Sequence, residues 1–285
     1  MGLDLTDFNV TIIGLGLIGG SYAMAIKNLK PKNLWGVDIS EETIKEAEAM
    51  GIITKGFTKD DAPLADSDLV IIALYPEATI KFLKANKENF KDGAVITDVA
   101  GIKERLVEEV AVIMPDTVDF VPGHPMAGKE SKGLKFASEK IFHNANYIIT
   151  PTDKNKEENV KLVEDLAKGI GCKNVVKISA KKHDEIIAFT SDIPHAIAVS
   201  LVNSDTFNEE TNLFIGGSFR DATRVAMINS SLWTELLIAN GENVVKQLSI
   251  FEEKIKAIKE AVESKDKEGL EEIFQRANNK RRGLV

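Results

Sequence analysis

His124 stands in Val121-Pro122-Gly123-His124-Pro125-Met126-Ala127-Gly128, among two glycines and two prolines. Proline fixes φ and lacks a donor, and glycine permits backbone shapes other residues avoid, so a stiff loop at a strand end is expected here. Such a loop presents an imidazole, which can take or give a proton near neutral pH. The same residues also suit a plain turn with an incidental histidine. A second group is Gly14-Leu15-Gly16-Leu17-Ile18-Gly19, whose spacing gives a tight turn, close approach of a pyrophosphate, and close helix-on-strand packing. Asp38, nineteen residues after Gly19, can accept both ribose hydroxyls of NAD and would repel the 2′-phosphate of NADP. A third group is Arg220, Asp221 and Arg224. The two arginines, four residues apart, are expected on one helix face with Asp221 able to hold either. A guanidinium pair suits a dicarboxylate, although an exposed ion-pair cluster would have the same spacing.

These groups need elements to position them. Asn9 to Ile13 is a β-branched apolar run, then the glycine loop, then a helix-like segment from Ser21 to Ile26. That order of strand, loop and helix puts phosphates at a helix amino terminus, where N–H groups and the positive dipole end face them. Strands follow at 34–37, 68–74 and 94–98, and helices at 41–50, 76–89 and 101–114. Ser40 is the expected N-cap of the first of these helices, with Gly51 past its end. Leu74, at the end of the third strand, and Tyr75, before Pro76, are assigned with the glycine loop and Asp38 to the cofactor. A strand at 118–121 should deliver His124 to the carboxyl edge of the sheet, where ligands of open α/β sheets bind. Runs 147–150 and 175–178 should extend that sheet.

After Ser179 apolar residues fall only at helical spacing. Two domains are expected, 1–179 binding dinucleotide and 180–285 helical, giving an α/β Rossmann-type domain followed by an all-α one. Residues 181–204 are too apolar for one solvated face and suggest a central helix, interrupted by Pro194. His195 beside the kink reads as structural or as a side chain facing a cleft. Two further helices should meet near Gly241.

The balance of 44% hydrophobic and 28% charged residues in 285 is that of a globular protein. A net charge of −8 and a pI near 5.2 argue against a nucleic acid or an anionic membrane as partner. No signal-peptide pattern is seen and no apolar run approaches the ~20 residues of a membrane span. One cysteine, Cys172, suits a reducing cytoplasm, and four dispersed histidines argue against a zinc site.

The glycine loop, Gly123-His124-Pro125-Met126-Ala127-Gly128, and Phe219-Arg220-Asp221-Ala222-Thr223-Arg224, in this order, resemble the prephenate/arogenate dehydrogenase family of tyrosine biosynthesis over essentially the whole chain. The resemblance implies an NAD domain and a helical domain that forms a homodimer, with prephenate or arogenate held between them. His124 matches the catalytic histidine and Arg224 the arginine that binds a substrate carboxylate. Arg220, Asp221, His195 and Glu130 match positions at the pocket or its entrance, and Trp233 an aromatic one nearby. Two departures stand out: Gly101 where many members have a serine near the histidine, and Asp192 where a second histidine is common. The implied reaction is oxidative decarboxylation of prephenate, with arogenate or dual specificity as the alternative. More remote are a β-hydroxy acid dehydrogenase and an NAD-responsive regulatory protein without catalysis. The chain leaves no length for an appended regulatory domain, so feedback is expected at the catalytic site or the dimer.

Overall fold

The computed structural model describes residues 3–58, 61–129, 131–204, 206, 208 and 210–283. The first half runs β1 (Asn9–Ile13), α1 (Leu17–Lys27), β2 (Asn33–Val37), α2 (Glu41–Ala49), β3 (Lys55–Phe57), α3 (Asp61–Leu64), β4 (Leu69–Ile72), α4 (Pro76–Asn86), β5 (Val95–Asp98), α5 (Glu104–Ile113), β6 (Asp119–Phe120), β7 (Gly123–Pro125), β8 (Asn146–Ile149), α6 (Glu157–Gly169) and β9 (Asn174–Lys177). Six of these strands form a parallel sheet in the order β3-β2-β1-β4-β5-β6. Its direction of winding reverses between β1 and β4, which opens a crevice at their carboxyl ends. All four residues of β4 are buried, as a parallel strand covered on both faces requires. One apolar cluster packs α1, α2 and α6 on one face; a second packs α4 and α5 on the other.

Two expectations change at β6. The runs at 147–150 and 175–178 do not extend the parallel sheet; they form a separate one, β7-β8-β9, antiparallel between β7 and β8. Pro122 has no N–H to continue the ladder after Val121 N donates to Ile96 O at 2.8 Å, so the chain leaves the first sheet there. His124 therefore lies in the short strand β7, opposite Ile148, rather than on a free loop. The helix expected from Gly101 starts only at Glu104, because Asp98 draws the loop back by accepting from Ala100 N at 2.8 Å.

The second half is helical: α7 (Ala180–Ile187), α8 (Ile193–Val202), α9 (Gly217–Thr223), α10 (Ser230–Ala239), α11 (Gly241–Glu263) and α12 (Lys267–Arg282). A five-residue π stretch, Ala188–Asp192, joins α7 to α8, so Pro194 is absorbed by a local widening in place of a break. His195 Nδ1 donates to Ser191 O at 2.8 Å within this stretch. By length and composition the continuous helix Ala180–Val202 is apolar enough to cross a membrane, contrary to the expectation above. Apart from Asp192 its charges gather in the first turns, and the apolar remainder packs on α9 and α11.

Candidate active site

The glycine loop is shaped for a dinucleotide. Gly14 has φ +87°, and a Cβ there would lie 2.7 Å from Ala73 O. A Cβ on Gly19 would fall 1.8 Å from Gly14 O, so only glycine lets α1 pack this closely on the loop. A Cβ on Gly16 would meet nothing within 4 Å, leaving open space at the amino terminus of α1. That helix has no side-chain cap and no acidic residue in its first turn, so its N–H groups remain available to an anion. Asp38, at the end of β2, ties the loop by accepting Leu15 N at 2.8 Å and Ser40 N at 2.9 Å. Each carboxylate oxygen keeps acceptor capacity for a ribose hydroxyl. The residues present therefore fit NAD.

A cleft of about 550 Å³ runs from this loop to the helical half. Gly16, Leu17, Ile18, Leu74 and Tyr75 line one side; His195, Arg224 and Trp233 line the other, with His124 and Gly101 between. His195 stacks on Trp233 at 3.6 Å between ring centroids. Arg220 and Asp221 are exposed and do not line the cleft. Helix α9 ends at Thr223 and Arg224 opens a 3₁₀ turn, and of the two arginines only Arg224 lines the cleft. Glu130 lies outside the described residues. Asp192 lines the cleft, 2% exposed, with Oδ2 bound to Asn240 Nδ2 at 2.9 Å.

Behind His124 lies a chain of polar groups that crosses from one half to the other. His124 Nδ1 is 2.9 Å from His183 Nε2, and His183 Nδ1 is 2.6 Å from Asp184 Oδ1. Asp184 also accepts Lys103 N at 2.9 Å and Glu104 N at 2.8 Å, one on each oxygen. It thus caps α5, whose own N-cap residue offers no side-chain bond. A carboxylate accepting at both oxygens makes His183 Nδ1 the donor, so in the neutral ring Nε2 accepts. His124 Nδ1 must then donate, and its Nε2 carries the lone pair. That nitrogen is 3.9 Å from where a Gly101 Cβ would be, on the cleft side. Burial holds the His124 imidazole well below its usual pKa, and His183 and Lys103 act in the same direction. Asp98 fixes the other side of the loop: it accepts Gly123 N at 3.1 Å and pairs with Lys103, and both side chains are fully buried.

Residues 22–176 match the model of the prephenate dehydrogenase nucleotide-binding domain, and residues 179–276 that of the prephenate dehydrogenase dimerization domain. The chain belongs to the prephenate dehydrogenase family. Bacillus subtilis prephenate dehydrogenase is 34% identical over 96% of this chain and 76% of its own length. The Lactococcus lactis enzyme of the same name is 33% identical over 96% and 77%. A prephenate dehydrogenase from A. aeolicus, solved with hydroxyphenyl propionate and NAD+, is 30% identical with a TM-score of 0.88, covering 100% of this chain and 99% of that one. The chain is accordingly an NAD-dependent dehydrogenase of this family, and the β-hydroxy acid and non-catalytic readings fall away.

Sequence reasoning missed His183, Asp184, Asp98, Lys103 and Asn240. A signal was present: a His-Asp pair falls in the first turns of the helix that opens the second half, just after Ser179, which caps it through Lys182 N.

Proposed function

We propose that the chain catalyses the NAD-dependent oxidative decarboxylation of prephenate to 4-hydroxyphenylpyruvate in tyrosine biosynthesis, with residues 1–179 holding NAD and 180–285 closing over the substrate. The observation that carries the assignment of roles is the lone-pair nitrogen of His124, facing a cleft between the glycine loop and Arg224. When bound, NAD supplies the hydride acceptor. His124 Nε2 takes the proton of the ring hydroxyl as that carbon gives up its hydride, leaving a ring carbonyl. The ring carboxylate then departs as CO2, its bonding pair enters the ring, and the carbonyl oxygen becomes a phenolate. The proton returns from His124 to this oxygen. Arg224 binds a substrate carboxylate bidentately, and Trp233 and His195 form the wall beside it. Arogenate differs only by an amino group on the side chain and is the alternative substrate.

The family's dimerization domain and the exposed apolar side chains of the helical half support a homodimer through that half. A biosynthetic role of this kind fits the cytoplasm. The test follows NADH absorbance with prephenate and, in parallel, arogenate. His124→Asn should lower kcat by roughly 10²–10⁴-fold with NAD affinity kept. Arg224→Ala should raise KM, by about tenfold or more for a lost charge-assisted contact. Near-parental turnover in the first variant would sink the role of His124, and saturation at the parental concentration in the second that of Arg224.

A further inference from the structure

We infer that the proton taken by His124 does not leave its charge there: as Nε2 of His124 gains a proton, its Nδ1 proton passes to Nε2 of His183, whose imidazolium pairs with Asp184. The base is then a two-imidazole relay across the seam of the two halves. This rests on the reading of His124 as the base.

The geometry favours the charge on the inner ring. His124 Nδ1 and His183 Nε2 are 2.9 Å apart, and the far nitrogen of His183 is 2.6 Å from a carboxylate oxygen. His183 is 1% exposed, so water cannot compete for either bond. The groups around it are His124 from β7, Asp98 at the end of β5, Lys103 from the loop that follows, Glu104 from α5, and Asp184 on its own helix. Asp192 stands further off, behind Asn240. Among the fully buried partners Asp98 offsets Lys103, which leaves the charge of Asp184 for one imidazolium. Among the described residues no carboxylate hydrogen-bonds His124 to hold a cation there, and Gly101 supplies no hydroxyl beside Nε2. Protons balance: one enters at His124 Nε2, one moves from His124 to His183, and both return when the phenolate is protonated.

His183→Gln separates relay from mere support, because the amide oxygen can sit where Nε2 was and accept from His124 Nδ1 but cannot take a proton. Expected are a fall in kcat of roughly tenfold or more, KM and NAD affinity unchanged, and a proton inventory that changes from curved to linear. A second measurement needs no turnover and no variant. In the ¹⁵N spectrum of the free protein, lowering the pH should protonate His183 Nε2 and His124 Nε2 together while His124 Nδ1 loses its proton. If His183→Gln keeps the parental kcat and inventory, or if His183 Nε2 stays unprotonated as His124 Nε2 gains its proton, the relay is overturned and the base assignment stands. Unchanged turnover in His124→Asn would instead overturn the base assignment. Should His183→Gln fail to fold, the spectrum of the parent protein decides.

Discussion

The nucleotide-binding half and the helical half bury their side chains in different ways. Both apolar clusters of the described residues lie between Leu5 and Cys172 and sandwich the parallel sheet. In the helical half a few apolar side chains such as Ala188, Ala198 and Ile193 are buried, and beside them lie four enclosed polar groups, His183, Asp184, Asp192 and Asn240. Large apolar side chains there face outward, with Leu213, Phe214 and Ile238 at 88%, 86% and 73% exposure. The first half thus carries its own core, and the second is anchored to it by directional bonds at a seam that also borders the candidate site. Asp184 caps α5 from across this seam, while Glu235 accepts Glu77 N at the start of α4 and Asn229 donates to Tyr75 Oη. Two successive helices of the nucleotide half therefore take their N-terminal partners from the other half, and both borders of the cleft depend on the two halves staying together.

Asp184→Ala should break this comparison most severely. It removes two backbone bonds to a charged acceptor and leaves His183 unsupported, so a loss of ~3–5 kcal/mol is expected in urea unfolding, together with most of the turnover. NAD affinity should fall much less, because the glycine loop and Asp38 belong to the self-contained half. An equal loss of NAD binding would show that the halves are not separable in this sense.

What was legible in the sequence divides along the same line. The glycine loop, β1, β2, β4 and β5, and the cap of α2 by Ser40, whose Oγ accepts Thr43 N at 3.2 Å, all rest on local pattern. Parallel strands buried on both faces announce themselves as apolar runs, and glycines at fixed spacing announce a turn. The seam has no such signature. His124 meets His183 across 59 positions and Lys103 meets Asp184 across 81, and no periodicity links them. The second sheet was hidden for a similar reason: β8 and β9 read as strands, but one proline decides which sheet β7 joins. The sequence also read Arg220 and Asp221 together with Arg224, because helical spacing says nothing about where α9 stops.

A smaller effect sharpens the contrast from the outward side. If the helical half completes its apolar packing against a second copy, Ile238→Asp should weaken that association by about 10–100-fold, the worth of one buried aliphatic side chain. Sedimentation at a series of concentrations measures it. Unfolding of the nucleotide half, followed by its own NAD-dependent stabilisation, should hardly move. An unchanged association constant would place the dimer contact elsewhere on the helical half.

A pH-dependent effect concerns the cost of polar burial in the helical half. Burial pushes the Asp192 carboxyl up to about 6, opposed by its bond from Asn240 and assisted by the charge of Asp184. A carboxyl whose folded pKa lies above its unfolded value disfavours the fold when ionised, so the penalty is fully present above pH 6. It fades as the pH falls through 6 and is gone near the unfolded pKa of about 4. Asp192→Asn keeps an acceptor for Asn240 and removes the charge. The variant should therefore be more stable than the parent by about 3 kcal/mol at pH 8, with the gain shrinking steadily to zero toward pH 4. A variant no more stable at pH 8 would mean that a cationic group in the cleft already compensates Asp192, which would make that carboxylate part of the site and not a burden on the helices around it.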